Sequence, residues 1–318
     1  MRSKVTMSAA ALLLLGTMGC QRHSKSDKYY LIAGNLKVPY WKTATAGFQQ
    51  AAADYNVTAI VDGPDGEDAG AEEDAFQKAA ATKPAGILVS VLDANRMQSA
   101  ITSAVRSGTP VITIDSDAAQ SGRLYFIGTD NYNAGHLGAQ RLIQLLHGKG
   151  NVVFFTYPAQ PNLAERLKGY QDTFNDHAGM KTVDVVNIGG DTSIAFDKVR
   201  EYVSKTGADK VDAFVSLESV SAKDVADALD RQHVTDRTVI GMDVSPDTVE
   251  LINKGKVAAT IAQKPWTMGY VGLKALAHVH EDDAKDVGST GAQARFPAFV
   301  DTGSALVDKE NVGAWQSK

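Results

Sequence analysis

Short apolar runs recur along this chain, each long enough for one buried strand and spaced to leave room for one helix. The runs are YYLIAG (29–34), VTAIVD (57–62), GILVS (86–90), PVITID (110–115), LYFIGT (124–129), NVVFFTY (151–157), TVDVVNI (182–188), DAFVSLE (212–218) and TVIGMD (238–243). Their continuous, β-branched character predicts strands covered on both faces, as in parallel sheets. The intervening segments predict helices over 41–55, on to residue 82, over 94–107 and 133–147, and after each later strand. Strand–helix alternation of this kind specifies an α/β fold. GILVS…TPVITID in the first half matches DAFVSLE…TVIGMD in the second, so two similar doubly wound, Rossmann-like domains are expected. A length of 318 residues also suits two domains better than one.

The stretch 238–266, TVIGMDVSPDTVELINKGKVAATIAQKPW, shows where chemistry would sit. Its first strand stops at Asp243. Ser245 is placed to cap the next helix, Pro246 suits the first helical position, and Gly255 suits the C-terminal cap. A second strand, 257–262, ends at Gln263, and another helix starts near Pro265. In open α/β sheets ligands bind outside the carboxyl ends of the strands. After Gln263 come an amphipathic segment (268–280), a charged loop and one late short strand, FPAFVDTG (296–303).

Composition narrows the class. The chain is 44% hydrophobic with a formal net charge of −5, which offers no basic face for nucleic acid. One cysteine rules out an internal disulfide framework. The N-terminus reads as a secretory signal over 1–19: basic Arg2 and Lys4, an apolar stretch at 9–15, then Gly19-Cys20. Thr17-Met18-Gly19-Cys20 resembles a bacterial lipobox with Thr17 in place of the usual leucine, making Cys20 a lipidation site that anchors the chain to a membrane. The other reading is ordinary cleavage that leaves a free cysteine. Residues 20–28 then form a polar tether.

Enzyme signatures are missing: there is no GxGxxG after a strand, no GxxxxGK[ST] and no GxSxG. The histidines lack metal-ligand spacing. The acidic run 62–74 fails the calcium-loop template at Pro64 and at its closing glutamate, and reads as a solvated loop feeding a helix N-terminus. No catalysis, cofactor or metal is expected.

Candidate binding residues collect at strand ends. Tyr40 and Trp41 follow the first strand, where one ring is expected to stack on a ligand and the other to pack as core. Asp115, Glu218, Asp243 and Gln263 end strands in both halves, and carboxylates with an amide suit a polyhydroxylated ligand. Arg166, in AERLKGY, adds a forked donor.

From about 29 to 309 the chain resembles the ribose-binding-like family of periplasmic sugar-binding proteins. The resemblance rests on Tyr40-Trp41, PVITID, GTDNYNAG (128–135), ERLKGY (165–170) and, most specifically, the stretch 238–266. It implies a type I periplasmic binding protein fold whose chain crosses a hinge three times. The lobes would be 29–129 with 264–300, and 130–263 with 301–318. It also implies ligand contacts at Tyr40, Trp41, Asp115, Ser116, Arg166, Glu218, Asp243 and Gln263. Val38, Ser116, Glu218 and Thr192 depart from the family pattern: Ser116 replaces a common arginine and Glu218 an asparagine. The implied role is that of a monomeric, lipid-anchored solute-binding protein on the outer side of a bacterial membrane. It would deliver a small sugar or polyol to ABC permease subunits, or, alternatively, present it to a membrane signalling partner.

Overall fold

The computed structural model describes residues 23–281 and 296–315. The signal sequence, Cys20 and the charged loop lie outside these residues. The strands run β1 (Lys28–Ile32), β2 (Thr58–Asp62), β3 (Gly86–Val89), β4 (Val111–Ile114) and β5 (Phe126–Gly128). They continue as β6 (Gly150–Thr156), β7 (Met180–Asn187), β8 (Ala213–Ser216), β9 (Thr238–Met242) and β10 (Ala259–Ala262). Two short strands, β11 (Phe299–Asp301) and β12 (Ala305–Asp308), close the set. They form two six-stranded sheets, β11-β5-β4-β3-β1-β2 and β12-β10-β9-β8-β6-β7. All pairings are parallel except β10 with β12. The sheets repeat one topology, and β3, β4, β8 and β10 are buried along their whole length, as the apolar runs predict.

The helices are α1 (Pro39–Asp54), α2 (Ala69–Ala81), α3 (Ala94–Arg106), α4 (Asn131–Leu145), α5 (Pro161–Asn175), α6 (Ser193–Val203), α7 (Ser221–Arg231), α8 (Pro246–Asn253) and α9 (Pro265–Glu281). In the first lobe α1 packs on α9 and α2 on α3; in the second, α4 packs on α5 and α6 on α7. Each lobe has its own core, with Phe48, Phe76, Leu88 and Met97 fully buried in one and Phe154, Phe155, Tyr170 and Phe214 in the other. The α8 signals behave as read: the Ser245 hydroxyl accepts the Thr248 N–H at 3.1 Å, and Gly255 takes a left-handed φ of 71° just past the helix.

Three sequence expectations need correction. The late strand at 296–303 is β11, and a second strand, β12, follows beyond that range in the other sheet. β12 was missed because it is a four-residue edge strand with no apolar run to announce it. The tether at 20–28 is not free throughout: His23 is buried against the Tyr55 ring and 2.8 Å from Glu281, and Lys28 already opens β1. The acidic run is not simply solvated either. Asp68 caps α2 by accepting the Gly70 and Ala71 N–H groups, but Glu72 is completely buried and accepts the Leu92 N–H at 2.9 Å.

The chain passes from the first sheet to the second after β5, returns between β10 and α9, and crosses again between β11 and β12. Those passages leave the carboxyl ends of the two sheets facing one another.

Candidate functional site

Where the sheets face, β4 and β9 occupy the same place in their respective orders, and each is followed by an aspartate in the left-handed region. Asp115 has φ 61° and Asp243 has φ 65°. Aspartate tolerates this region better than most residues, yet a non-glycine residue there still costs on the order of 1 kcal/mol or more. The turn leaves each backbone N–H bonded to the next strand, to Ile127 and Ile261 respectively. Both carboxyl groups line one cavity of about 260 Å³ between the lobes. That is below the range of about 300–1,000 Å³ typical of drug-sized ligands, so the occupant is small. An adjoining cavity of about 590 Å³, behind Tyr40, is walled by Pro39, Ala222, Val244, Pro246 and Trp315 and has fewer convergent polar groups.

The two helices that open onto the smaller cavity start alike. Pro39 begins α1 and Pro161 begins α5, and neither helix has a side-chain N-cap. Each proline is followed by a residue that reaches the cavity and then by a buried apolar one: Tyr40 then Trp41, Asn162 then Leu163. Tyr40 and Trp41 pack edge to face at 5.3 Å. Trp41 is part of the first lobe's core and still borders the cavity, so one ring does both jobs.

The hydrogen-bond network is dense and mostly closed on itself. Asp115 accepts the Tyr40 hydroxyl at 2.7 Å, and its other oxygen takes Asn162 Nδ2 at 3.3 Å and Ser90 Oγ at 3.4 Å. The Asn162 bond spans the lobes. Asp243 accepts Gln263 Nε2 at 3.0 Å, while Gln263 Oε1 accepts the Thr129 hydroxyl at 2.8 Å. Arg166, 2% exposed, donates from Nη2 to Asn131 at 2.6 Å and from Nη1 to the Leu217 carbonyl; its Nε has no partner.

Burial dominates the electrostatics. It pushes the Asp243 carboxyl up to about 7 against the pull of Arg166 and the Gln263 hydrogen bond. Asp115 and Glu218 move up, and Arg166 moves down, for the same reason. Tyr40 stands well above its ordinary value through burial and the facing Asp115 carboxylate.

Of the residues expected from the sequence, Tyr40, Trp41, Asp115, Arg166, Glu218, Asp243 and Gln263 all line the cavity, as do the departing positions Val38 and Thr192. Ser116 does not. The backbone turn at Asp115 directs its N–H back to the Ile114 carbonyl at 2.6 Å and leaves its Oγ buried without a partner. Glu218 borders the cavity, but its carboxylate is occupied: it accepts the Val220 N–H at 2.6 Å and the Ser221 N–H and hydroxyl, capping α7. Sequence reasoning missed Asn35, Glu67, Tyr157, Gln160 and Asn162. The repeated start of α1 and α5 was a signal that could have found Asn162. Glu67 was hidden inside the acidic run.

Two doubly wound lobes whose strand ends meet around a polar cavity define a bilobal ligand-binding protein. The chain belongs to the periplasmic binding protein domain family, whose model matches residues 29–283. Among curated proteins it is 24% identical over 279 residues to the ribose import binding protein RbsB of Escherichia coli, covering 85% of this chain and 90% of that protein. It is 25% identical to the xylose/arabinose-binding protein XylF of Sulfolobus acidocaldarius, over 71% of this chain and 57% of that one. Among solved structures it is similar to AraP, an arabinose-binding protein from Geobacillus stearothermophilus. There the identity is 31%, the TM-score is 0.77, and the match covers 92% of this chain and 99% of AraP.

Proposed function

We propose that this protein is the solute-binding component of an ABC importer and captures a small sugar or polyol between its lobes. The observation that carries this reading is the pair Asp115 and Asp243. Equivalent strand ends hold both in an unfavourable backbone conformation and aim both carboxyl groups at one small cavity beside Arg166. Backbone strain of that kind persists where a binding geometry requires it. The similarity to RbsB and AraP supports the same conclusion.

In this mechanism residues 29–129 with 264–300 form one lobe, and 130–263 with 301–318 form the other. A ligand that touches both lobes favours the closed arrangement, which a permease then recognises. The Tyr40 and Trp41 rings cover the apolar face of the ligand. Asp243, Asp115, Arg166 and Gln263 bond its hydroxyl groups, and Glu218 shapes the wall. The mature chain is held on the outer side of the bacterial membrane through Cys20.

A thermal-shift screen of the mature protein, stripped of bound ligand, against pentoses, hexoses and polyols tests the reading. A ligand at about a hundredfold excess over its Kd adds about 2.7 kcal/mol to stability. A shift that disappears in Asp243→Ala is the expected result; no shift with any member of the panel overturns it. Loss of palmitate labelling in Cys20→Ala checks the anchor separately.

A further inference from the structure

Negative groups outnumber positive ones in the cavity lining. Three of its side-chain amides are tied to its own carboxyl groups: Asn35 to Glu67 at 3.2 Å, Asn162 to Asp115, Gln263 to Asp243. The Tyr40 hydroxyl is likewise spent on Asp115. Both Arg166 terminal nitrogens already donate to protein oxygens, and Nε has no partner. Two carboxylate oxygens carry no hydrogen bond, the second oxygen of Glu67 and that of Asp243. Four carboxyl groups line the cavity against a single cation, Arg166. The position after Asp115, where a second cation could have stood, is Ser116, which lies outside the lining.

One of the four carboxyl groups, Glu67, lies where the two lobes meet. Glu67 extends from the loop between β2 and α2 of the first lobe to the Gly189-Gly190 turn of the second. A Cβ built on Gly190 would lie 3.2 Å from the Glu67 side chain. Asp115, Glu218, Glu72 and the Tyr157 hydroxyl are the titratable groups around it, and none of them supplies a positive charge. Bringing the lobes together therefore buries the Glu67 carboxyl without a cation beside it, and burial pushes it up to about 7. An ammonium gives three hydrogen bonds, accepts none and carries the missing charge.

We infer that the preferred ligand is an amine-bearing sugar or polyol, with its ammonium held by the free oxygen of Glu67 at the seam between the lobes. This rests on the sugar-binding reading above and narrows it. Closure over a neutral hydroxyl at that point leaves the carboxyl unpaired, whereas closure over an ammonium pairs it. The seam thus selects for charge at the closing step.

Titration calorimetry on the stripped mature protein with matched probes tests this: D-glucose and D-glucosamine, D-galactose and D-galactosamine, D-mannose and D-mannosamine, and the three N-acetyl derivatives. The expected result is at least one amine that binds roughly tenfold or more tightly than its hydroxyl counterpart, the size of one hydrogen bond to a charged group. N-acetylation abolishes that advantage, and Glu67→Gln reduces it to about threefold or less. The N-acetyl comparison is made on the natural protein and stands even if the variant folds poorly. If the hydroxyl sugar matches or exceeds the amine in every pair that binds, the inference is overturned and the sugar reading survives. An amine advantage that persists in Glu67→Gln overturns the assignment to Glu67. If no probe binds, the amine inference falls, and the sugar reading is decided by the thermal-shift panel of pentoses, hexoses and polyols.

Discussion

The two lobes are built to one plan and furnish the cavity differently. Each has a helix pair that crosses at reciprocal glycines. In the first lobe a Cβ on Gly47 or Gly269 would collide with the carbonyl of Trp266 or Ala44 on the partner helix; in the second, Gly135 and Gly169 meet the carbonyls of Arg166 and Tyr132. In the second lobe the crossing itself carries a site residue. Arg166 lies where α5 touches α4, and Asn131 at the start of α4 holds its guanidinium. In the first lobe Tyr40 and Trp41 are about two turns from the glycine crossing. The shared scaffold decides where the strand ends point. The loops and helix starts decide what is offered there: two carboxyl groups from each side, the Tyr40 and Trp41 rings from the first lobe, the lone cation from the second.

That contrast can be broken at the crossings, where the largest effects are expected. Gly269→Val and Gly169→Val should each lower the melting temperature by roughly 5–10 °C, from an overpacking cost of about 2–3 kcal/mol. Differential scanning calorimetry measures this, and the milder Gly135→Ala should weaken ligand binding more than Gly47→Ala because it displaces Arg166. Equal losses of affinity in the two lobes would show that the crossing does not position the guanidinium.

The aspartates come next. Asp243 has one oxygen free and Asp115 has none, so Asp243→Ala should weaken binding by roughly 10–100-fold, the effect of about 1.5–3 kcal/mol in a hydrogen bond to a charged group. Asp115→Asn should lose less affinity in the same calorimetric titration. The reverse ranking would mean that the Tyr40–Asp115 bond opens to admit ligand.

A separate effect is expected from pH. Burial raises Glu72 in the first lobe from 4.5 to about 8. The folded chain therefore keeps a proton that the unfolded chain sheds above about 4.5, and stability that is full below that value is lost as pH rises through about 8. Melting temperatures taken from pH 5 to 9 should fall, and fall less steeply in Glu72→Gln. A curve of unchanged slope in the variant would place the pH dependence on Glu67 or Asp243. The smallest effect belongs to the exposed Lys168–Asp172 pair of the second lobe, where Asp172→Asn should leave the melting temperature nearly unchanged.

The fold was legible because a buried parallel strand writes itself as an unbroken apolar run. The site was legible where such a run ended on a polar residue, as at Asp115, Asp243 and Gln263, and in the Tyr40-Trp41 pair and Arg166. Glu67 could not be seen that way. It stands among Asp62, Asp65 and Asp68 in a loop, and nothing local distinguishes the carboxyl that meets the other lobe from those that meet water. Glu218 shows the opposite failure: a strand-end carboxylate whose oxygens are taken by the N–H groups of its own following helix. Ser116 follows a residue with positive φ, and no sequence pattern announces which way the chain turns there.

The left-handed turns at Asp115 and Asp243 also bear on how this protein could be altered. Glycine would adopt those angles without penalty, and it would remove a buried carboxyl at the same time. A selection for heat resistance alone would be drawn to these two positions and would return a sturdier protein with an empty-handed cleft. Mutant libraries intended to harden the scaffold should therefore hold both aspartates fixed.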